Sequence, residues 1–81
     1  MNADVKLFAA ARQYCGCDQV SIDLEGDATV GELRAALAEA HPSLQAILPS
    51  SMIALNHDYA DDETPIPEDA EIALIPPVSG G

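Results

Sequence analysis

The sequence predicts an α+β domain in which one main helix packs against a small mixed sheet. Three features carry that reading. Apolar and polar residues alternate in short segments spread along the chain. A single longer stretch has helical spacing and opens on a capping sequence. A proline pair halts the last alternating segment, because neither ring has an amide to give to a strand ladder.

Residues 4–9 read as the first strand. Val5 and Leu7 fall on one face and Lys6 and Phe8 on the other, the period of a half-buried strand. Residues 9–14 are helix formers followed by Gly16, a C-terminal cap, which predicts one or two helical turns. Residues 19–24 alternate again, with Val20, Ile22 and Leu24 inward and Ser21 and Asp23 outward, until Gly26-Asp27 breaks the strand. Thr29 and Glu32 form a T-x-x-E box, in which each side chain satisfies an unpaired backbone N–H at the helix start. Val30, Leu33, Leu37 and Ala40 then make one apolar stripe, and Pro42 ends the helix by restricting His41. Leu44, Ile47 and Leu48 are expected to cover the core as a short irregular turn or helix. Residues 52–55 form a third strand. Asn56-His57-Asp58 is turn chemistry, and Tyr59-Ala60 starts a short return strand. Residues 61–63 are a charged loop, and Pro65 and Pro67 exclude regular helix around them. The last strand, 71–75, turns Ile72 and Leu74 one way and Ala73 and Ile75 the other.

The chain has 81 residues, which predicts a single domain spanning 1–81 with a modest core. A deep cavity of its own is not expected. Lys and Arg number 3 against 14 Asp and Glu, a formal net charge of −11. Nucleic acid and anionic membrane surfaces are therefore not expected partners, since both need clustered cations. The acid excess either serves solubility or steers the chain toward a basic protein face. There is no apolar run of transmembrane length and no basic-then-apolar leader, and the two cysteines fit a reducing compartment. A cytoplasmic location is the expectation.

Residues 76–81 form a tail. Gly80 and Gly81 have no Cβ and can thread a channel too narrow for other residues. Pro76-Pro77 keeps the base of the tail extended. Such a tip suits entry into another protein's active site, and an ordinary frayed terminus is the other reading. The ending Ile75-Pro76-Pro77-Val78-Ser79-Gly80-Gly81 resembles that of the small subunits of molybdopterin synthase, members of the ubiquitin-like β-grasp sulfur-carrier family. The opening Leu7-Phe8-Ala9-Ala10-Ala11-Arg12, with Gly16 after it, is similar to that family's F-A-x-x-R-x-x-x-G. Thr29-Val30-Gly31-Glu32-Leu33-Arg34 and Ala54-Leu55-Asn56 match as well, so the likeness covers essentially the whole chain.

The resemblance implies a β-grasp fold and a carrier that turns nothing over alone. It implies that an ATP-dependent activating enzyme adenylates Gly81 and that a sulfur donor, such as a cysteine desulfurase, converts the adenylate to a thiocarboxylate. Gly80 would allow entry of the tail into the large synthase subunit, in a heterotetrameric complex where sulfur passes to a pyranopterin precursor of the molybdenum cofactor. The chain itself would bind no cofactor and no metal; the nucleotide belongs to the activating enzyme. Sulfur carriers for thiamin or other thiolation routes share the Gly-Gly end, and a plain ubiquitin-like interaction module is the reading from another class. The family's D-G-D-E before the last strand is Glu68-Asp69-Ala70-Glu71 here, so Asp69 is expected to take the left-handed conformation of that glycine.

In a β-grasp sheet the first and last strands are neighbours. Phe8 and Ile75 then share an outward face with Tyr59 nearby, either a partner surface or a patch covered by the short helix. Phe8, Tyr59, Ile75 and the tail residues Pro76, Pro77, Val78 and Ser79 are the expected partner contacts. Cys15-Gly16-Cys17 lacks the further ligands of a zinc site, and two cysteines are too few for a ferredoxin cluster. They read as ordinary cysteines at a helix end, with a small enzyme using Cys15 or Cys17 as the remaining alternative. His41 and His57 read as surface residues, and Lys6 and Arg12 as partners of nearby carboxylates.

Overall fold

The computed structural model describes residues 1–77. In β1 (Asn2–Leu7) Ala3, Val5 and Leu7 are buried while Asn2, Asp4 and Lys6 face solvent. α1 (Ala10–Cys15) ends on Gly16, whose φ of 76° is left-handed and whose amide donates to the Arg12 carbonyl at 2.8 Å. β2 (Gln19–Asp23) returns antiparallel to β1 with Val5 opposite Val20 and buries Val20 and Ile22. α2 (Val30–Ala40) carries both halves of its capping box. The Glu32 amide donates to Thr29 Oγ1 at 3.3 Å, and the Thr29 amide to Glu32 Oε1 at 3.2 Å. Val30, Leu33 and Leu37 form the buried stripe. Ala40, expected in the stripe, is exposed, because the chain leaves the helix at His41 and the covering passes to Leu44 and Leu48. These two sit in single-turn 3₁₀ helices, Pro42–Leu44 and Leu48–Ser50.

β3 (Met52–Leu55) and β4 (Asp58–Ala60) form a hairpin with Leu55 opposite Asp58. The loop is thus only Asn56-His57, at φ 51° and 74°. Two successive positive φ values match the primed turn that suits strand twist. Asp58, expected in the turn, is the first residue of β4. β5 (Ile72–Ile75) runs parallel to β1 and antiparallel to β3, giving the order β2-β1-β5-β3-β4. This is the β-grasp arrangement: a mixed five-stranded sheet with α2 packed on one face. The core lies between them, Val5, Leu7, Ile53, Ile72 and Leu74 from the sheet meeting Leu33 and Leu37. The turn at 67–70 closes through the Ala70 amide on the Pro67 carbonyl at 3.2 Å. Asp69 is not among the residues with positive φ, so the expected left-handed conformation does not form. A right-handed turn needs no such residue.

The loop after β4 is stitched to the start of α2. The Val30 amide donates to the Thr64 carbonyl at 3.0 Å and the Gly31 amide to the Asp62 carbonyl at 2.8 Å, satisfying donors that a helix leaves unpaired. A Cβ on Gly31 would meet that Asp62 oxygen at 3.2 Å, so glycine permits the approach. Arg34 completes the joint. Its Nε donates to Asp62 Oδ1 at 2.7 Å, and its two terminal nitrogens donate to the carbonyls of Leu48 and Ser51 at 2.6 and 2.7 Å. Arg34→Ala removes a donor from both carbonyls, leaving that of Leu48 only the Ser51 amide at 3.1 Å, and is expected to cost roughly 1–3 kcal/mol in a urea melt.

Candidate functional site

The sheet face turned away from α2 is uncovered. Its register places Lys6, Ala73, Ala54 and Tyr59 in one row across β1, β5, β3 and β4. In the next row Ile75 lies opposite Met52, and Phe8 follows β1 immediately. The small side chains of Ala54 and Ala73 make a floor. Phe8, Tyr59, Ile75, His57, Lys6 and Glu71 rise around it to leave a concavity of about 330 Å³. Phe8 is 45 % exposed and Tyr59 67 %, so α1 does not cover the patch. Ile75 is half-buried. Met52, 45 % exposed, extends the same face and carries no sequence signal, since Met-Ile-Ala-Leu offers no alternation from which to fix its phase.

Charge sits at one edge of the concavity. Glu71 Oε1 accepts from Lys6 Nζ at 3.1 Å, and His57 Nε2 lies 2.9 Å from Glu71 Oε2. The hydrogen bond and charge of Lys6, then the charge of His57, hold the Glu71 carboxyl below the usual carboxylate range. A lowered folded value means that the pairing supports the fold above the ordinary carboxylate pKa and is lost as pH falls through the lowered one. An NMR titration is expected to place the Glu71 midpoint below that of an unpaired glutamate, and Lys6→Met to move it back upward.

β5 ends with Ile75 on this face. Pro76 is buried and Pro77 exposed, so Pro77 is the ring a partner would meet. Val78, Ser79, Gly80 and Gly81 lie outside the described residues. Elsewhere, Arg12 pairs with Asp18 at 3.2 Å, His57 is exposed and His41 is half-buried. Cys15 and Cys17 are free thiols. Among the described residues no three His, Cys, Asp or Glu side chains are grouped to hold a metal ion, and no helix is long and apolar enough to cross a membrane.

Residues 5–81 match the ThiS family. The chain belongs to the ThiS family. Within it, the chain is 32 % identical to the molybdopterin synthase sulfur carrier subunit of Chlamydomonas reinhardtii, with all of both chains covered. It is also similar to small archaeal modifier protein 1 of Haloferax volcanii, whose crystal structure superposes with a TM-score of 0.87 at 34 % identity over the whole of both chains. A third likeness, with a TM-score of 0.70 at 30 % identity and full coverage of both chains, is to a chain in the complex of subunits 1 and 2 of the molybdopterin-converting factor from Helicobacter pylori. The resemblance read from the Pro-Pro-Val-Ser-Gly-Gly ending and the ubiquitin-like β-grasp fold therefore both hold.

Proposed function

We propose that this ThiS-family chain is the sulfur carrier subunit of a molybdopterin synthase. The observation that carries the reading is the end-to-end likeness to a sulfur carrier subunit. The open apolar face beside the exit of the C-terminal segment supports it. In this reading Gly81 carries the reacting carboxyl. An ATP-dependent activating enzyme joins it to adenylate with loss of pyrophosphate. A persulfide from a donor such as a cysteine desulfurase then displaces AMP, and reduction of the acyl disulfide leaves a thiocarboxylate. Adenylate is a good leaving group, and the thiocarboxylate is ionised and nucleophilic at neutral pH. Gly80 lets the segment pass into the large subunit, where sulfur moves to a pyranopterin precursor. Phe8, Met52, Tyr59 and Ile75 dock beside it, with Pro77, Val78 and Ser79 lining the way in.

The direct test is mass spectrometry of the protein after incubation with ATP, an activating enzyme, a cysteine desulfurase, cysteine and a thiol reductant. One oxygen replaced by sulfur on Gly81 is the expected product. Unchanged mass with all components active rejects the carrier reading. The likeness to a modifier protein favours a second reading, in which the same activated carboxyl is joined to amines of other proteins. That outcome would appear as covalent adducts of higher mass.

A further inference from the structure

We propose that Cys15 and Cys17 form a reversible redox site, a dithiol that a glutathione-type disulfide converts to an intrachain disulfide. The two Sγ atoms stand 2.9 Å apart across Gly16, already in hydrogen-bond contact. A sulfur–sulfur bond is about 2.05 Å long, so closure asks for a movement of under about 1 Å. Gly16, at φ 76°, supplies the turn that folds one thiol onto the other, a conformation strained for any residue with a Cβ. Both thiols are half-buried against the rim of the core and so are neither sealed nor free to wander. Beside them lies a surface depression lined by Ala9, Arg12, Gln13, Gly16, Cys17 and Asp18. Arg12 lines it with its guanidinium paired to Asp18 at 3.2 Å.

The order of events follows from access. Cys17 lines the depression and Cys15 does not, so Cys17 opens the exchange. The hydrogen bond to Cys17, then burial, push the Cys15 thiol up, in keeping with its later part. Cys17 thiolate attacks one sulfur of oxidised glutathione and expels a glutathione thiolate. Cys15 then gives up its proton and attacks Cys17 Sγ, expelling the second. Two protein thiols are oxidised and one glutathione disulfide is reduced to two glutathione thiols. A ring closed across a single residue is strained and easily reduced, so the pair remains a dithiol in a reducing pool and closes when the pool turns oxidising. The site is tied to the end of β1: the Asp18 carbonyl, next after Cys17, accepts the Leu7 amide at 2.8 Å.

The test is equilibration of the whole protein with oxidised glutathione, followed by intact mass and thiol alkylation. The expected result is loss of two hydrogens, no alkylatable thiol, no retained glutathione and full reversal by excess reduced glutathione. In Cys15→Ser the exchange stops halfway, and one glutathione remains on Cys17. Two alkylatable thiols after oxidation, glutathione retained by the wild type, or disulfide-linked dimers in place of the intrachain bond would each overturn the proposal. None of these readouts depends on sulfur transfer, so the proposal stands or fails apart from the carrier function.

Discussion

Protein lacking Gly81 is expected to gain no sulfur at all under conditions that convert the wild type completely. In the proposed function sulfur is attached to the carboxyl of Gly81, and the deletion moves that carboxyl onto Gly80, one residue short of its place. An extended residue spans roughly 3.3–3.6 Å, far more than the near-attack tolerance of a reacting pair. Gly80→Leu retains the carboxyl but adds a branched side chain where, in the proposed function, backbone passes through a narrow channel, and is expected to abolish the reaction as fully. The described core runs from Ala3 to Leu74, upstream of both changes, so urea midpoints are expected to match the wild type. Mass spectrometry and melts on the same samples separate a lost reaction from a lost fold. Sulfur gained by the deletion variant would remove Gly81 from the mechanism.

Phe8→Ala or Ile75→Asp is expected to weaken binding to a large synthase subunit by at least tenfold, about 1.4 kcal/mol, measured by calorimetry. A large apolar side chain gains roughly 1.5–3 kcal/mol on full burial, and Phe8, 45 % exposed in the free chain, has much of that still to gain. The isolated domain gives the control. Leu33 is fully buried in α2, and Leu33→Ala is expected to cost roughly 2–5 kcal/mol of stability. Phe8→Ala is expected to cost much less. Equal losses of stability in the two would place Phe8 in the core and the docking surface elsewhere.

Both predictions begin from residues readable in the sequence, and the reasons are local. Period-two alternation fixed Phe8 and Ile75 as outward, because Val5, Leu7, Ile72 and Leu74 had to face the core. The T-x-x-E box placed the start of α2 because its two bonds span three residues. Contacts between distant segments were not legible. Arg34 reaches Leu48, Ser51 and Asp62, partners 14 to 28 positions away, and nothing in Leu33-Arg34-Ala35 announces them. Glu71 and Lys6 are 65 positions apart and meet only because β1 and β5 are parallel neighbours. The Asn56-His57 turn was half-legible: asparagine signals positive φ, histidine much less so. Ala9, at φ 49°, has no sequence signal of any kind.

Every lysine and arginine side chain is already paired with a carboxylate, Lys6 with Glu71, Arg12 with Asp18 and Arg34 with Asp62. Two copies that approach each other therefore meet acid with acid, and no cation is spare to bridge them. Solutions of the protein are expected to show a positive second virial coefficient in dilute salt, shrinking as added ions shorten the Debye length from about 30 Å at 0.01 M to about 10 Å at 0.1 M. Colloidal repulsion of this kind lets a bare patch of Phe8, Met52 and Tyr59 stay wet and single until a counter-charged surface arrives.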